Sequence, residues 1–388
     1  MRPLRIIVLK VDHIGDFVLA GSAIADLRRA CQNGHLTLVC ASTIRELAAS
    51  LGVFDDIVAF DFYPRGVDAP GSKPHADYAS IRCHVSGAYD LAIDLRHDPD
   101  TRPLLDHIDA KFRAGFEGGE LVHPLDLSLP RFDDLPRPSP QRFGPHAETR
   151  MRLLVMAVVD TFFCDAERAA PPTRSGRARR IDSDYFVLAP GSAVRLKNWD
   201  VRKFTVLARR LIARLGMPAV IVGGPAEEED AGSISAEIPG AKCINLAGRL
   251  SLIELQDVIR DSTLLVGNNT GPTHMAARLG VPTVCVFSGR ADPKIWRPRG
   301  PYVRVVQARQ PCAPCHLSDE SQCNFGKACT REITTKMVMR ACKTVLKRRR
   351  NSPSGQPAWW RFDRSVRPYP KTNGSRQLVG ASRSRRRT

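Results

Sequence analysis

Short apolar runs alternate along the chain with longer segments whose apolar residues recur at helical spacing, a pattern typical of buried parallel strands linked by helices. In the first half the runs predict strands at 5–11, 36–40, 57–60, 91–95 and 112–116, with helices at 17–31, 43–51 and 146–163. In the second half they predict strands at 185–189, 219–222, 242–245, 263–266 and 282–287, with helices at 201–215 and 334–346. Two successive α/β domains follow from this order.

The domain limits are set by composition. Residues 165–182 contain Pro171, Pro172, Gly176 and several arginines, so they predict a linker between a domain at 1–164 and a domain at 183–350. Residues 351–388 are rich in Pro, Ser, Gly and Arg and predict a disordered basic tail. Two doubly wound parallel sheets in tandem face each other across a cleft at the carboxyl ends of their strands.

The net charge of +18 over 388 residues is concentrated at the C-terminal end. From Lys347 onward, thirteen Lys and Arg residues against the single acidic Asp363 give +12, which leaves +6 for the rest of the chain. Such a segment binds anionic lipid, binds nucleic acid without a specific site, or stays solvated. No apolar run approaches the ~20 residues of a membrane span. Lys10 and Asp12 interrupt the first run, which therefore predicts a strand in a cytoplasmic protein, not a signal peptide.

Four of the eleven cysteines are grouped at C-x2-C-x7-C-x5-C spacing, whereas most others stand alone in apolar segments. Thiolates close together in a reducing compartment bind zinc tetrahedrally, and a position before the last helix suits a structural clip. Free packed thiols or a redox-labile pair are the alternatives. The candidate zinc ligands are Cys312, Cys315, Cys323 and Cys329.

Residues 268–289 carry the strongest local signal, a polar loop followed by a helix start and a buried strand. Asn269, Thr270 and Gly271 form the loop, and Pro272 suits the first helical position. The first amides of such a helix have no partner within it, so they attract a phosphate, and His274 lies within reach. The alternative is an ordinary turn with a core histidine.

Three further loops follow predicted strands. After the first strand, Gly15 permits a close turn and Asp16 stands at the helix start, either as an N-cap or as a site carboxylate. After residue 189, Ser192 and Lys197 supply a hydroxyl and a cation, unless the loop is only a solvated basic surface. After residue 222, two glycines precede Glu227, whose carboxylate suits ribose hydroxyls. The loops after residues 189 and 222, together with the loop at 269–271, give the second domain three ligand-type loops, which favour a nucleotide site.

The chain resembles glycosyltransferase family 9, the bacterial heptosyltransferases of the lipopolysaccharide inner core, over roughly residues 4–346. The resemblance rests on six blocks in order: VLKVDHIGDFVLAGSAIADLR, YDLAIDLR, PGSAVRLKNWDVRKFTVLARRL, GGPAEEE, INLAGRLSLIELQDVI and NNTGPTHMAARLGVPTVCVFSG. It implies a GT-B fold and an inverting transfer from a nucleotide sugar, typically ADP-heptose, to a lipid-linked core sugar.

The resemblance also implies roles for the site residues. Asp16 is then the general base, with Gly15 beside it, and Lys197 neutralises the leaving diphosphate together with Ser192. Glu227 holds the ribose, and Thr270, Gly271 and His274 cradle the diphosphate and sugar. A lysine and helix amides take the place of a metal ion, so no cofactor is required for catalysis.

One residue departs from the family pattern, since Asn269 stands where the family usually has Asp. Asparagine carries no negative charge, which opens the identity of the donor sugar. The acceptor is expected at the first domain, where Arg96, His97 and Arg102 follow a strand and suit an acidic lipopolysaccharide core, unless they are solvated surface.

Three functions compete at this point. The first is a heptosyltransferase at the cytoplasmic face of the inner membrane, with the basic tail as a peripheral contact. The second is a family 9 enzyme for a different nucleotide sugar, or a nucleotide-binding protein without turnover. The third, a dehydrogenase, is disfavoured because no G-x-G-x-x-G follows the first strand.

Overall fold

The structure, a computed structural model, describes residues 3–63, 77–131, 145–163, 181, 183–238, 240–317 and 319–351. The predicted linker 165–182 and the predicted tail 351–388 lie almost entirely outside the described residues. Two α/β domains are present, each built on a six-stranded sheet. The prediction of two parallel-sheet domains is confirmed.

The first sheet has the strand order β3-β2-β1-β4-β5-β6, and all its pairs are parallel. Its strands are β1 (Arg5–Lys10), β2 (His35–Cys40), β3 (Asp56–Ala59), β4 (Tyr89–Asp94), β5 (Ala110–Phe116) and β6 (Leu127–Leu129). The chain reverses direction through the sheet between β1 and β4, which is the switch point where doubly wound sheets bind ligands.

The helices of the first domain are α1 (Ile14–Ala30), α2 (Arg45–Ser50) and α3 (Ala147–Phe162). Short 3-10 helices lie at Ser42–Ile44, Tyr78–Cys83 and Pro99–His107. Helix α3 packs along α1, and buried apolar side chains of both helices fill one side of the sheet.

The second sheet repeats the same topology in the order β12-β11-β10-β7-β8-β9, again with parallel pairs throughout. Its strands are β7 (Phe186–Ala189), β8 (Ala219–Ile221), β9 (Cys243–Asn245), β10 (Leu264–Asn268), β11 (Thr283–Val286) and β12 (Val303–Val306). The switch point of this sheet lies between β7 and β10.

The second domain contains more helices than the first. They are α4 (Val201–Leu215), α5 (Glu228–Ala236), α6 (Leu252–Arg260), α7 (Gly271–Arg278), α8 (Pro293–Trp296), α9 (Ala328–Arg331) and α10 (Thr335–Arg350). Short 3-10 helices lie at Arg195–Lys197, Pro225–Glu227, Gly240–Lys242 and Glu320–Gln322. Helix α10 packs on β12, β11 and α4 and closes the described part of the chain.

Some strands and helix boundaries differ from those that the apolar pattern predicted. Strands β6 and β12, at the edges of their sheets, were not predicted because they are short and only partly buried. Helix α1 begins at Ile14, three residues before the predicted start, so His13 is the N-cap and Asp16 lies in the first turn. The interpretation of Asp16 as an N-cap is therefore wrong. In α7, Gly271 is the first helical residue and Pro272 the second.

The two domains share a continuous apolar contact. Buried side chains of α1, such as Ile24 and Leu27, belong to the same cluster as Met275, Ala276 and Leu279 on and beside α7. Helix α1 therefore packs against α7, and the starts of the two helices meet at the domain boundary.

None of the helices in the described part of the chain has the length and apolar content that crossing a membrane requires.

Candidate functional site

Asp16 projects from the first turn of α1, directly after the carboxyl end of β1. Its Oδ2 lies 3.2 Å from Nδ1 of His13, the N-cap residue, and its side chain is 19% exposed. Burial alone would raise the pKa of Asp16, but the hydrogen bond from His13 and the charges of Lys10 and Arg96 together lower it well below the ordinary value. The carboxylate is therefore ionised at neutral pH.

A buried charge network supports that carboxylate. Lys10 Nζ donates to Asp12 Oδ2 at 2.7 Å, and Arg96 donates to the same oxygen at 3.1 Å. Arg96 also donates to Asp100 at 2.7 Å and pairs with Asp98 at 3.1 Å. The sequence did not predict this network, although it showed Lys10 and Asp12 as charged residues at the end of the first apolar run.

The two arginines predicted to meet the acceptor are not equivalent. Arg102 is fully buried and ion-paired with Asp94, and it also donates to the backbone oxygen of Arg96 at 3.0 Å. The prediction that Arg102 contacts an acceptor is therefore wrong, because its guanidinium is packed under the loop. Arg96 is 8% exposed and held by carboxylates, and Nε2 of the half-buried His97 lies 3.0 Å from Arg150 Nη1.

His274 lies in the first turn of α7, close to the first domain. It is 6% exposed, and its Nε2 donates to Asn269 Oδ1 at 3.0 Å, so Nδ1 is the unprotonated nitrogen. Burial lowers the pKa of His274 to about 4, which keeps the ring neutral at neutral pH. Nδ1 is buried and has no hydrogen-bond partner in the described structure, so it remains an acceptor for a hydroxyl group.

Lys197 ends the short 3-10 helix in the loop that follows β7. In the same loop the Ser192 hydroxyl lies 2.8 Å from Val194 O and 2.6 Å from Asn198 Oδ1. Ser192 therefore holds the shape of the loop, while Lys197 places a half-buried ammonium near His274 and depresses its pKa.

Glu227 packs across two of the strand-end loops. Its Oε2 accepts a hydrogen bond from Gly224 N at 2.5 Å. A Cβ atom placed on Gly191 would lie 1.9 Å from Glu227 Cγ, so only glycine fits beneath this carboxylate. The loops after β7 and β8 are thus joined through Glu227, at the position predicted for ribose.

Asn268, the last residue of β10, was not predicted as a site residue. Its side chain donates to Pro190 O and accepts from Trp199 N at 3.0 Å, which ties both ends of the Lys197 loop to the start of α7. The sequence feature that could have indicated it is the pair of asparagines in NNTG, of which only Asn269 was assigned a role.

The site residues from the two domains meet at His274. A Cβ on Gly15 would lie 3.5 Å from His274 Cδ2, so the start of α1 touches α7. Asp16 raises the pKa of His274 and Lys197 lowers it, so both groups are close enough to act on one ring. Thr270, the N-cap of α7, and Gly271, its first residue, border the same point. The charges of Asp16, Lys197 and Glu148 therefore all act on an imidazole that lies at a helix N-terminus and beside the start of α1.

The four clustered cysteines lie behind the Lys197 loop, around a cavity of about 400 Å³ that Leu196 also lines. Burial raises the pKa of Cys329, and the neighbouring thiols of Cys312, Cys315 and Cys323 raise it further. Lys327 N donates to Cys323 Sγ at 3.4 Å, a contact that also suits a metal-bound thiolate. Yet no three His, Cys, Asp or Glu side chains among the described residues are arranged to hold a metal ion. Zinc binding stays a prediction.

A family model described as glycosyltransferase family 9 (heptosyltransferase) matches residues 85–327. The chain belongs to glycosyltransferase family 9. The matched region contains Lys197, Glu227 and His274 but begins after Asp16, so the assignment of Asp16 depends on the geometry described above.

Several characterised family 9 proteins are similar to this chain. Lipopolysaccharide heptosyltransferase 3 of Escherichia coli is 28% identical over 168 residues, which span 41% of this chain and about half (48%) of that protein. Lipopolysaccharide heptosyltransferase 1 of Pseudomonas aeruginosa is 24% identical over 317 residues, 80% of this chain and 86% of that protein. These names support family membership and heptosyltransferase likeness.

The fold is also that of family 9. The structure of E. coli ADP-heptose lipopolysaccharide heptosyltransferase II matches with a TM-score of 0.63 at 18% identity, over 89% of this chain and 100% of that chain. The two-domain GT-B architecture expected from the sequence is confirmed.

Proposed function

We propose that this family 9 glycosyltransferase moves a heptose, or a related sugar, from an ADP-linked donor to a lipopolysaccharide core acceptor with inversion at the anomeric carbon. The observation that carries the proposal is the contact between the start of α1, which bears Asp16, and His274 of α7, whose pKa also responds to the charge of Lys197. A base on one side and a cation on the other suit a single in-line displacement.

In the proposed step, an acceptor hydroxyl oxygen attacks the anomeric carbon while the bond from that carbon to the diphosphate oxygen breaks. The hydroxyl proton passes to the Asp16 carboxylate, and the bonding electron pair leaves with ADP. Because the pKa of Asp16 is low, the proton transfers late, when the attacking oxygen has become strongly acidic.

The leaving diphosphate gains negative charge as the bond breaks. We propose that Lys197 and the positive end of the α7 helix dipole supply the opposing charge, without a catalytic metal ion. Turnover that survives dialysis against EDTA supports this; turnover that EDTA abolishes and Mg²⁺ restores contradicts it.

The neutral His274 bears on how the sugar is held. Nε2–H already donates to Asn269, so only the Nδ1 lone pair is available. It can accept a hydrogen bond from a hydroxyl group, but it cannot donate one to a phosphate oxygen. We propose that His274 contacts a sugar hydroxyl, which makes Asn269 a residue that affects the choice of donor. A panel of nucleotide sugars compared by melting temperature identifies that donor, because the preferred ligand stabilises the fold by mass action.

The reaction is tested with ADP-heptose and a truncated core acceptor. Asp16→Asn is expected to lower kcat by roughly 10²- to 10⁴-fold while ADP binding changes little. Glu46→Gln, which removes an exposed carboxylate from the first turn of α2, is the matched control. Transfer that survives Asp16→Asn unchanged contradicts the assignment of the base.

The cation is tested by ADP affinity. Lys197→Ala is expected to weaken ADP binding by about tenfold or more, as loss of a charge-assisted contact does. Arg195→Ala removes the same charge from an exposed position of the same 3-10 turn and is expected to have little effect. Equal losses in both variants would show that the loop acts only through its overall charge.

A further inference from the structure

Helix α10 carries a row of cations along one side. Their spacing of four, three, four and three residues places them within an arc of about 80° over a length of about 21 Å. All of them are exposed to solvent. The row consists of Lys336, Arg340, Lys343, Lys347 and Arg350.

The opposite side of α10 anchors the helix to the domain. The buried residues Val338, Ala341, Cys342 and Val345 belong to the apolar core of the second domain. Helix α10 therefore has a fixed orientation, and the cation row faces away from the protein.

The row has no acidic partners. Helix α10 contains no Asp or Glu, and none of the five side chains has an ion pair or hydrogen bond among the described residues. Some cations on other helices are paired, since Arg29 pairs with Asp26 and Arg209 pairs with Glu237. The fold thus leaves the charge of α10 available to an external anion.

The neighbouring helix α4 widens this surface. Helix α4 packs beside α10, and its Arg210 and Arg214, one turn apart, are exposed and have no partner in the described structure. Val206 on α4 and Met337 on α10 are among the exposed large apolar side chains, at 38% and 37%. The surface is therefore basic, with isolated apolar contacts.

We propose that the α4–α10 surface docks on the anionic headgroups of a lipid bilayer. The cation row of α10 and the two arginines of α4 lie side by side, as a flat membrane surface requires. Neither helix exposes an aromatic side chain that could stack against nucleic-acid bases. The choice of a membrane rests on the proposed function, since a lipid-linked acceptor is presented there. Ile333, just before α10, accepts a hydrogen bond from Trp199, so the docked helix is directly joined to the loop that carries Lys197.

The test is sedimentation of the full chain with vesicles of phosphatidylglycerol and phosphatidylcholine, compared with phosphatidylcholine alone. Lys336→Gln/Arg340→Gln/Lys343→Gln is expected to weaken binding on the order of 100-fold at low salt, since each cation near an anionic surface contributes about fivefold. The control Arg45→Gln/Arg82→Gln/Lys242→Gln removes the same charge from exposed positions away from α10 and retains most of the binding.

Two results overturn the proposal. Equal losses in both triple variants show that lipid binding depends on the overall charge of the protein, or on residues outside the described part of the chain, and not on the α4–α10 surface. Tighter binding to a single-stranded RNA than to vesicles, abolished by the α10 substitutions, shows that the partner is a nucleic acid. Both triple variants are expected to keep the melting shift with ADP and transfer to a detergent-solubilised acceptor, so a failure of the proposed function is recognised separately.

Discussion

At the scale of single residues, His146 of the first domain contacts the second domain, and its ring is held in the neutral form. Its Nε2 donates to the backbone oxygen of Arg297 in the second domain at 2.9 Å, while Nδ1 accepts from Glu148 N at 3.2 Å. The Nδ1 contact requires a neutral ring, and burial lowers the pKa of His146 to about 4. Protonation turns Nδ1 into a donor that faces another donor.

The free energy of unfolding is therefore expected to fall in mild acid. A pKa below the ordinary 6.5 means that the unfolded state binds more protons between pH 6.5 and 4, so the contribution of His146 is complete above that range and is lost as the pH falls through it. The loss is roughly 3 kcal/mol at most for one ring.

Urea unfolding from pH 7 to pH 4 measures this effect. His146→Gln is expected to reduce the pH dependence by roughly half, because His274 has a similarly lowered pKa and still contributes, whereas substitution of the exposed His84 by Gln leaves it as in the parent protein. An unchanged pH dependence in His146→Gln contradicts the role given to this ring.

Gly191 gives a second prediction at the same scale. An alanine there brings a Cβ within 1.9 Å of Glu227 Cγ, so the carboxylate must move, and ADP affinity is expected to fall roughly tenfold by calorimetry. Gly232→Ala in α5, where an added Cβ meets nothing within 4 Å, is expected to raise stability by about 0.5–1 kcal/mol and to leave ADP binding unchanged. Unchanged affinity in Gly191→Ala contradicts the position of Glu227.

At the scale of elements, polar side chains connect α1, α3 and α7. Arg278 of α7 donates to Glu148 of α3 at 3.0 Å and to Ser22 of α1 at 2.7 Å, and Ser22 donates to Glu148 at 2.6 Å. Arg278→Met leaves the buried Glu148 without its main partner and is expected to cost about 3 kcal/mol in urea unfolding. Combining it with Glu148→Gln is expected to restore part of that loss; additive losses contradict a direct pairing.

The elements that the sequence predicted well are the interior ones. Strands β1, β4, β7 and β10 are nearly continuous apolar runs because helices cover both faces of their sheets. Edge strand β12 alternates partly exposed positions and gave no such run. The start of α1 was misplaced because its cap, His13, makes no side-chain capping bond and lacks the usual residue type.

At the scale of the whole molecule, the candidate site joins loops from both domains. The sequence predicted Asp16, Lys197 and Glu227 as site residues because each lies in a polar loop at the carboxyl edge of a parallel sheet. Arg102 was misassigned because a sequence does not show whether an arginine faces solvent or a buried partner such as Asp94. Asn268 was missed because its role depends on contacts with residues about seventy positions away in the chain.

The cysteine loops provide a further prediction at this scale, since they support the Lys197 loop from behind. If they bind zinc, metal analysis of the purified chain gives about one zinc per molecule, and Cys315→Ser loses it together with several degrees of melting temperature. Cys83→Ser, at an exposed and separate position, keeps the metal. A metal-free chain of unchanged stability contradicts the prediction.

The proposed mechanism requires that a carboxylate of one domain and an ammonium group of the other both act on His274. An NMR titration of the His274 imidazole tests it directly. Lys197→Ala is expected to raise the pKa of His274 from about 4, and Asp16→Asn to lower it, whereas Arg195→Ala and Glu46→Gln leave it unchanged. If neither Lys197→Ala nor Asp16→Asn moves that pKa, the two domains do not meet at this ring and the proposed mechanism is wrong.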